Sequence, residues 1–169
     1  INTCKKVYSS NYGDDFWKEI INKACRNLDM EKPNSFLSSN YYPLKLIMEI
    51  HKVFHELKKE EDKYYQLTFD NAMEDARKGV STVYKILMRF INKDNIVKKG
   101  PHFWKQVFTG GKLIVEKTDE SFDFLLEDID LIHPYDYHLA GYFTQVAILI
   151  GVDVKKMIHG NLIWENNKT

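Results

Sequence analysis

The stretch Lys112–Leu126, KLIVEKTDESFDFLL, decides the fold of this chain. Its first six residues are rich in β-branched and apolar side chains, and Thr118–Glu120 offers a hairpin loop. From Ser121 onward, apolar and polar side chains alternate, which is typical of a half-buried antiparallel strand. The stretch therefore predicts a β-hairpin, and its second strand should bury one face, formed by Phe122, Phe124 and Leu126.

A helix and a returning strand should follow this hairpin. Pro134 and Asp136 begin the helix, and Gly151 is well placed to end it in a left-handed conformation. The apolar face of this helix is formed by Leu139, Phe143, Val146, Ala147 and Ile150. Strand character resumes over Val152–Trp164, where Gly160–Asn161 forms either a tight two-residue turn or a bulge.

The chain before Gly111 is predicted to be helical, because its apolar residues recur at helical spacing. The predicted helices run over Phe16–Leu28, Tyr42–Lys59, Thr68–Asn92 and His102–Phe108. Asp14 or Asp15 should cap the first of these helices, and Thr68 or Asp70 the third. Gly100–Pro101 is expected to break the chain before the last one.

Strands that cluster after a run of helices indicate the α+β class. We therefore expect one α+β domain over residues 1–169. Its helical part, residues 12–110, should pack on a small antiparallel sheet formed by residues 111–165 in the order strand, strand, helix, strand.

The charge balance argues against nucleic acid as a partner, because 24 basic residues face 24 acidic ones and such binding needs a basic surface. Lys98 and Lys99 are expected to form a solvated face. No apolar run approaches the roughly 20 residues that span a bilayer. The two cysteines, Cys4 and Cys25, follow no metal pattern, so we expect reduced thiols in a cytoplasmic protein. The start at Ile1 without Met suggests a fragment of a longer signalling protein.

Two histidines on the second predicted helix lie at metal-ligand spacing. His51 and His55 are four residues apart, so two imidazoles could share a metal or contact a haem. The Glu that follows the first His in a zinc-protease helix is absent. The interpretation we favour is that both are polar positions flanking a buried stripe, and no metal site is predicted.

The remaining candidates for ligand binding lie near the hairpin. The loop His133–His138 gathers two imidazoles, two phenols and a carboxylate, which could orient a ligand, support acid–base chemistry, or hydrogen-bond locally at a helix start. The favoured interpretation is local bonding. His102 and Trp104 could line a pocket, or they could pack between the helices and the sheet. The candidate ligand-binding residues are His102, Trp104, His133, Tyr135 and His138, and no catalytic residue is assigned.

The order of these elements resembles the ligand-sensing superfamily around bacterial haem–nitric-oxide-binding (H-NOX-type) domains and their haem-less relatives. The resemblance rests on Tyr12–Asp15, Tyr42–Pro43, the hairpin, the pair Gly141 and Gly151, and Trp164 in a terminal strand. The Tyr-x-Ser-x-Arg haem-propionate motif of H-NOX domains is absent. The resemblance therefore implies regulatory sensing in a haem-less form, and no cofactor is predicted.

Three functions follow as expectations. The first is a non-catalytic sensory or regulatory domain of a bacterial signalling protein, which binds a small ligand or a partner protein. The second is a protein-interaction or dimerisation domain without a small-molecule pocket, since aromatic side chains anchor interfaces and zero net charge permits self-association. The third is an enzyme that uses the His133–His138 loop.

Overall fold

The computed structural model describes residues 1–33, 36, 42–58, 64–79, 91–107, 110–131, 133–160 and 162–166. These residues form six helices and four strands. The helices are α1 (Asn2–Tyr12), α2 (Asp14–Asn27), α3 (Leu44–Lys58), α4 (Tyr64–Gly79), α5 (Ile96–Val107) and α6 (Tyr135–Leu149). The strands are β1 (Lys112–Lys117), β2 (Phe122–Glu127), β3 (Lys156–His159) and β4 (Leu162–Glu165). The predicted α+β class is confirmed.

The chain divides into two compact units. The first unit comprises residues 1–72 and 131–139, and the second comprises residues 73–130 and 140–169. In the first unit α1 packs on α2, and α2 packs on α3. Its core includes a parallel stack of Tyr8 on Phe54, whose ring centroids are 4.1 Å apart.

The helix starts in the first unit differ from the predicted ones. The prediction did not include α1. No side chain caps α2, because Asp14 and Asp15 lie inside its first turn, where carboxylates favour the helix dipole. Helix α4 begins at Tyr64, so neither Thr68 nor Asp70 caps it. Tyr64 and Thr68 are both buried, and this packing favours a helix that starts earlier.

In the second unit, the predicted helix break at Gly100–Pro101 is wrong. Helix α5 begins at Ile96 and runs through Gly100–Pro101. A Cβ at Gly100 would lie 3.1 Å from Cγ2 of Val115, so glycine lets β1 approach the helix closely. Ile96 and Trp104, both buried, lie on one face of α5 and favour the continuous helix.

The predicted helix Thr68–Asn92 is also placed wrongly at its C-terminal end. Its last two residues, Ile91 and Asn92, are not helical. The side-chain oxygen of Asn92 instead accepts hydrogen bonds from the backbone N–H groups of Asp94 and Asn95, which leads into α5. Residues 80–90 of that prediction lie outside the described residues.

The predicted hairpin is confirmed. Strands β1 and β2 pair antiparallel, with Leu113 opposite Leu126 and Val115 opposite Phe124. The face of β2 predicted to be buried is half-buried, and the other face is exposed. In α6 the predicted apolar face and the stop at Gly151, where φ is +90°, are also confirmed.

The terminal segment forms a hairpin of its own. Strands β3 and β4 pair antiparallel, with His159 opposite Leu162, so the segment is a hairpin and not one long bulged strand. Gly160 has a φ of +54°, and Asn161 lies outside the described residues. The predicted strand start at Val152 is wrong, since residues 152–155 form a connection in which Val152 packs on the core of the second unit. The four described strands form two separate two-stranded sheets, whereas the prediction had one.

No helix in the described part of the chain is both long enough and apolar enough to cross a membrane.

Candidate functional site

Four helices of the first unit bring histidine, tyrosine and cysteine side chains together. Helices α1, α3 and α4 contribute, and so does the start of α6 with the residues before it. We call this set the imidazole–phenol cluster; it consists of Cys4, Tyr8, His51, His55, Tyr64, Tyr65, His133, Tyr135, Tyr137 and His138. Its inner part surrounds His51 and His138, and its outer part surrounds His133.

His51 lies at the centre of the inner part and is 1% exposed. Its Nδ1 is 3.1 Å from the hydroxyl of Tyr8, and its Nε2 is 3.7 Å from Sγ of Cys4. The hydroxyl of Tyr64 donates to the backbone oxygen of His51 at 3.1 Å. Because burial disfavours the charged form, the pKa of His51 lies well below its usual value. His51 is therefore a neutral imidazole with both ring nitrogens engaged.

His138 lies beside His51, with 4.6 Å between the ring centroids. It is 8% exposed, and the ring of Tyr135 stacks on it at 5.3 Å. Burial lowers the pKa of His138 to about 3. Its Nδ1 is buried and has no hydrogen-bond partner among the described residues. A buried polar atom without a partner loses its hydration at a cost of about 1–3 kcal/mol, so a hydrogen-bonding group brought to this nitrogen would offset that cost.

The outer part of the cluster is centred on His133, whose side chain is about half exposed. Its Nδ1 lies 3.2 Å from Oδ1 of Asp136, and its Nε2 lies 3.0 Å from the hydroxyl of Tyr65. The Tyr65 ring stacks on Tyr137 with 4.4 Å between centroids. Burial raises the pKa of Tyr65, which is the opposite of what an activated phenolate nucleophile requires.

The cluster unites some of the residues that the sequence singled out and leaves others elsewhere. His133, Tyr135 and His138 meet His51 and His55 of α3 in the first unit. His51 does not flank the buried stripe of α3, as the sequence suggested, but belongs to it.

Two further candidates, His102 and Trp104, lie in the second unit. His102 is exposed, whereas Trp104 is buried and its Nε1 donates to the backbone oxygen of Gly110 at 3.1 Å. Trp104 also contacts Phe143, so it is part of the hydrophobic core of that unit.

Sequence reasoning missed four members of the cluster, namely Cys4, Tyr8, Tyr64 and Tyr65. Cys4 and Tyr8 lie four residues apart, which was a usable helical signal. Nothing local in the sequence points from Tyr65 to His133, since 68 positions separate them.

His51 and His133 are not arranged to hold a haem iron. Haem iron in globins and peroxidases is held by an imidazole nitrogen. Both ring nitrogens of His51 and of His133 already face protein partners, and His138 is packed between His51 and Tyr135. Within the described residues no group of three or more His, Cys, Asp or Glu side chains could hold a metal ion. Cys4 and Cys25 are not joined in a disulfide.

Comparisons with known proteins bear on the fold. No protein-family model matches the chain, and no curated protein matches it. One similar solved structure comes from work on haem distortion in the H-NOX family, with a TM-score of 0.54 and 11% identity over 88% of this chain and 77% of that one. Another is a Cs H-NOX mutant carrying 4-cyano-L-phenylalanine, with a TM-score of 0.57 and 12% identity over 94% of this chain and 82% of that one. The fold of this chain is therefore similar to that of H-NOX proteins.

Proposed function

We propose that this chain is a sensory or regulatory domain that binds a small molecule at the inner part of the imidazole–phenol cluster. The observation that carries the proposal is the buried Nδ1 of His138, which has no partner among the described residues. The similarity of the fold to H-NOX proteins supports a sensing role. We further propose that the domain works in the cytoplasm, as part of a bacterial signalling protein.

The chemistry of the cluster limits which classes of ligand could bind there. Burial keeps His51 and His138 neutral, so the site offers imidazole and phenol hydrogen bonds but no imidazolium charge to attract an anion. A small uncharged molecule with one hydrogen-bonding group satisfies the Nδ1 of His138 without burying a charge. Its apolar part would contact the ring of Tyr135, which stacks on His138 with 5.3 Å between the ring centroids.

A thermal-shift screen of small uncharged alcohols, amides and phenols tests this proposal. Any molecule that binds only the folded state raises the melting temperature. We expect compounds that stabilise the wild-type protein and lose this effect in His138→Gln. The matched control is His102→Gln, an exposed histidine in the other unit, which should keep the full shift. The proposal is wrong if no compound acts, or if His138→Gln responds as the wild type does.

The same cluster argues for a non-catalytic role. The hydroxyl of Tyr65 hydrogen-bonds with Nε2 of His133, whose Nδ1 lies 3.2 Å from Oδ1 of Asp136, but the raised pKa of Tyr65 leaves this group without a nucleophile. His133 contacts Asp136, three residues on, at the start of α6, so its side chain has a local structural partner. Replacing His133 by Ala should therefore lower stability. An assayable activity that His133→Ala abolishes at unchanged stability would instead support an enzyme.

A second function, a protein-interaction or dimerisation domain, is favoured by one specific observation. Ile158 and Ile163 pair directly across the terminal hairpin and are 67% and 56% exposed. Exposed apolar residues that adjoin each other favour contact with another protein. Sedimentation velocity over a hundredfold range of concentration tests this function. A dimer that dissociates in the Ile158→Thr, Ile163→Thr double variant supports it, and a monomer at every concentration contradicts self-association.

A further inference from the structure

The first compact unit contains a cavity of about 370 Å³, distinct from the imidazole–phenol cluster. This volume falls within the range of roughly 300–1,000 Å³ that ligand pockets occupy. Helices α1 and α2 and the residues after α2 line it. Its lining includes Lys5 of α1, Trp17, Lys18 and Ile21 of α2, and Lys32 and Phe36 beyond α2.

The floor of the cavity is apolar and aromatic. Trp17 and Ile21 are buried residues of α2, and Phe36 meets Trp17 edge to face with 6.2 Å between ring centroids and 70° between the ring planes. Two rings at such an angle form a corner that accepts a flat apolar body. The floor therefore suits the ring of an aromatic ligand.

The rim of the cavity is positively charged. Three lysines line it, against the single carboxylate of Asp14. Lys18 is already paired with Asp15 at 2.7 Å. Lys5 and Lys32 are exposed, and neither forms an ion pair with another described residue. Their ammonium groups thus remain available to an anion at the mouth of the cavity.

We propose that this cavity binds a small planar aromatic anion, such as an aryl carboxylate. Its ring contacts Trp17 and Phe36, and its anionic group is bound by the ammonium groups of Lys5 and Lys32. This inference goes beyond the proposed function, because it concerns a second site and an anionic class of ligand. Tyr8 links the two sites, since its ring lies 6.3 Å from that of Trp17 and its hydroxyl bonds to Nδ1 of His51.

Isothermal titration calorimetry with 2-naphthoate and 2-naphthamide tests the proposal, because the two probes share a ring system and differ in charge. We expect 2-naphthoate to bind at least about twofold more tightly than 2-naphthamide, and this preference to shrink as salt is added. The estimate takes about 0.2–1 kcal/mol for each exposed ion pair.

The double variant Lys5→Gln, Lys32→Gln locates the binding. We expect its affinity for 2-naphthoate to fall about two- to thirtyfold, from the same estimate for two exposed ion pairs, while its affinity for 2-naphthamide stays unchanged. The matched control is Lys6→Gln, an exposed lysine of α1 that does not line the cavity, and it should bind as the wild type does. All three side chains are exposed, so the variants should fold normally.

Three results would overturn the proposal. They are equal affinity for the two probes, an unchanged affinity of the double variant for 2-naphthoate, and no binding of 2-naphthoate at millimolar concentration. None of these measurements involves His138, so a failure here is distinguishable from a failure of the imidazole–phenol cluster as a ligand site.

Discussion

The imidazole rings of His51 and His138 lie 4.6 Å apart, and both are buried in the first compact unit. Three helices meet around this pair, because Tyr8 and Cys4 come from α1, His51 from α3 and His138 from α6. Burial lowers the pKa of both histidines, so two neutral imidazoles share one apolar site. The stability of the protein should therefore depend on pH.

We predict that acid destabilises the protein through this pair. Unfolded histidine takes up a proton near pH 6.5, whereas folded His138 does so only near pH 3. Between these values the unfolded state binds more protons, so the contribution is fully present above about pH 6.5 and is lost as the pH falls. One such histidine costs about 2 kcal/mol between pH 7 and pH 5. Urea unfolding across this range measures the loss.

The control for this prediction is His138→Gln, which cannot titrate. Its stability should fall less steeply with acid than that of the wild type. Comparing the two slopes cancels the contributions of other titratable groups to the pH dependence. One of these is Asp70, whose pKa is raised by burial and whose contribution has the opposite sign. Parallel stability curves for the two proteins would show that His138 is protonated as easily in the folded state as in the unfolded one.

Removing one hydroxyl tests the bond between Tyr8 and His51. Tyr8→Phe keeps the ring stacked on Phe54 but deletes the partner of His51 Nδ1, so we expect a loss of about 1–2 kcal/mol in the free energy of unfolding. The same change made in a His51→Leu background should cost clearly less, because the two residues then no longer interact. Equal costs in both backgrounds, measured in urea, would mean that the hydrogen bond contributes nothing.

Replacing either of two glycines by Ala tests the backbone conformation without introducing a steric clash. A Cβ added at Gly151 or at Gly110 would meet no atom within 4 Å. Gly151 has a φ of +90°, whereas Gly110 is not in the left-handed region. Gly151→Ala should therefore lower stability by about 1–2 kcal/mol, while Gly110→Ala should change it by less than about 0.5 kcal/mol. Thermal unfolding of both variants decides the matter, and equal melting temperatures would contradict the left-handed helix end.

The β1–β2 hairpin offers a matched pair of leucines on its two faces. Leu113 is buried against the core of the second unit, whereas Leu125 is 45% exposed. Leu113→Ala should cost about 2–4 kcal/mol and Leu125→Ala less than about 1 kcal/mol. Denaturant unfolding gives both values. The reverse order would mean that the strand faces are assigned the wrong way round.

The sequence predicted those features that depend on neighbouring residues. The alternation around Phe124 correctly identified the half-buried face of β2, and Gly151 marked the end of α6. The features that depend on distant packing were not predictable in this way. Gly100–Pro101 looked like a break, but the approach of Val115 and the burial of Trp104 favour a continuous helix.

The candidate site, too, could be predicted from the sequence only where its residues are neighbours in the chain. The loop His133–His138 stood out because its imidazoles and phenols lie close together in the sequence. The partners that give His51 and His133 their properties lie 43 and 68 positions away, at Tyr8 and Tyr65. Only the folded first unit brings them together, and only burial makes His51 and His138 neutral.

Nitrogen-15 NMR of the histidine rings at pH 5.5 tests most directly whether the buried pair can serve as a neutral ligand site. His138→Gln assigns the signal of His138, and an unstructured model peptide that contains one histidine provides the reference. We predict that His51 and His138 show the nitrogen shifts of neutral imidazole at this pH, whereas the histidine of an unstructured model peptide is mostly protonated. A His138 ring that is protonated to the same extent as the histidine of the model peptide would contradict the proposed site.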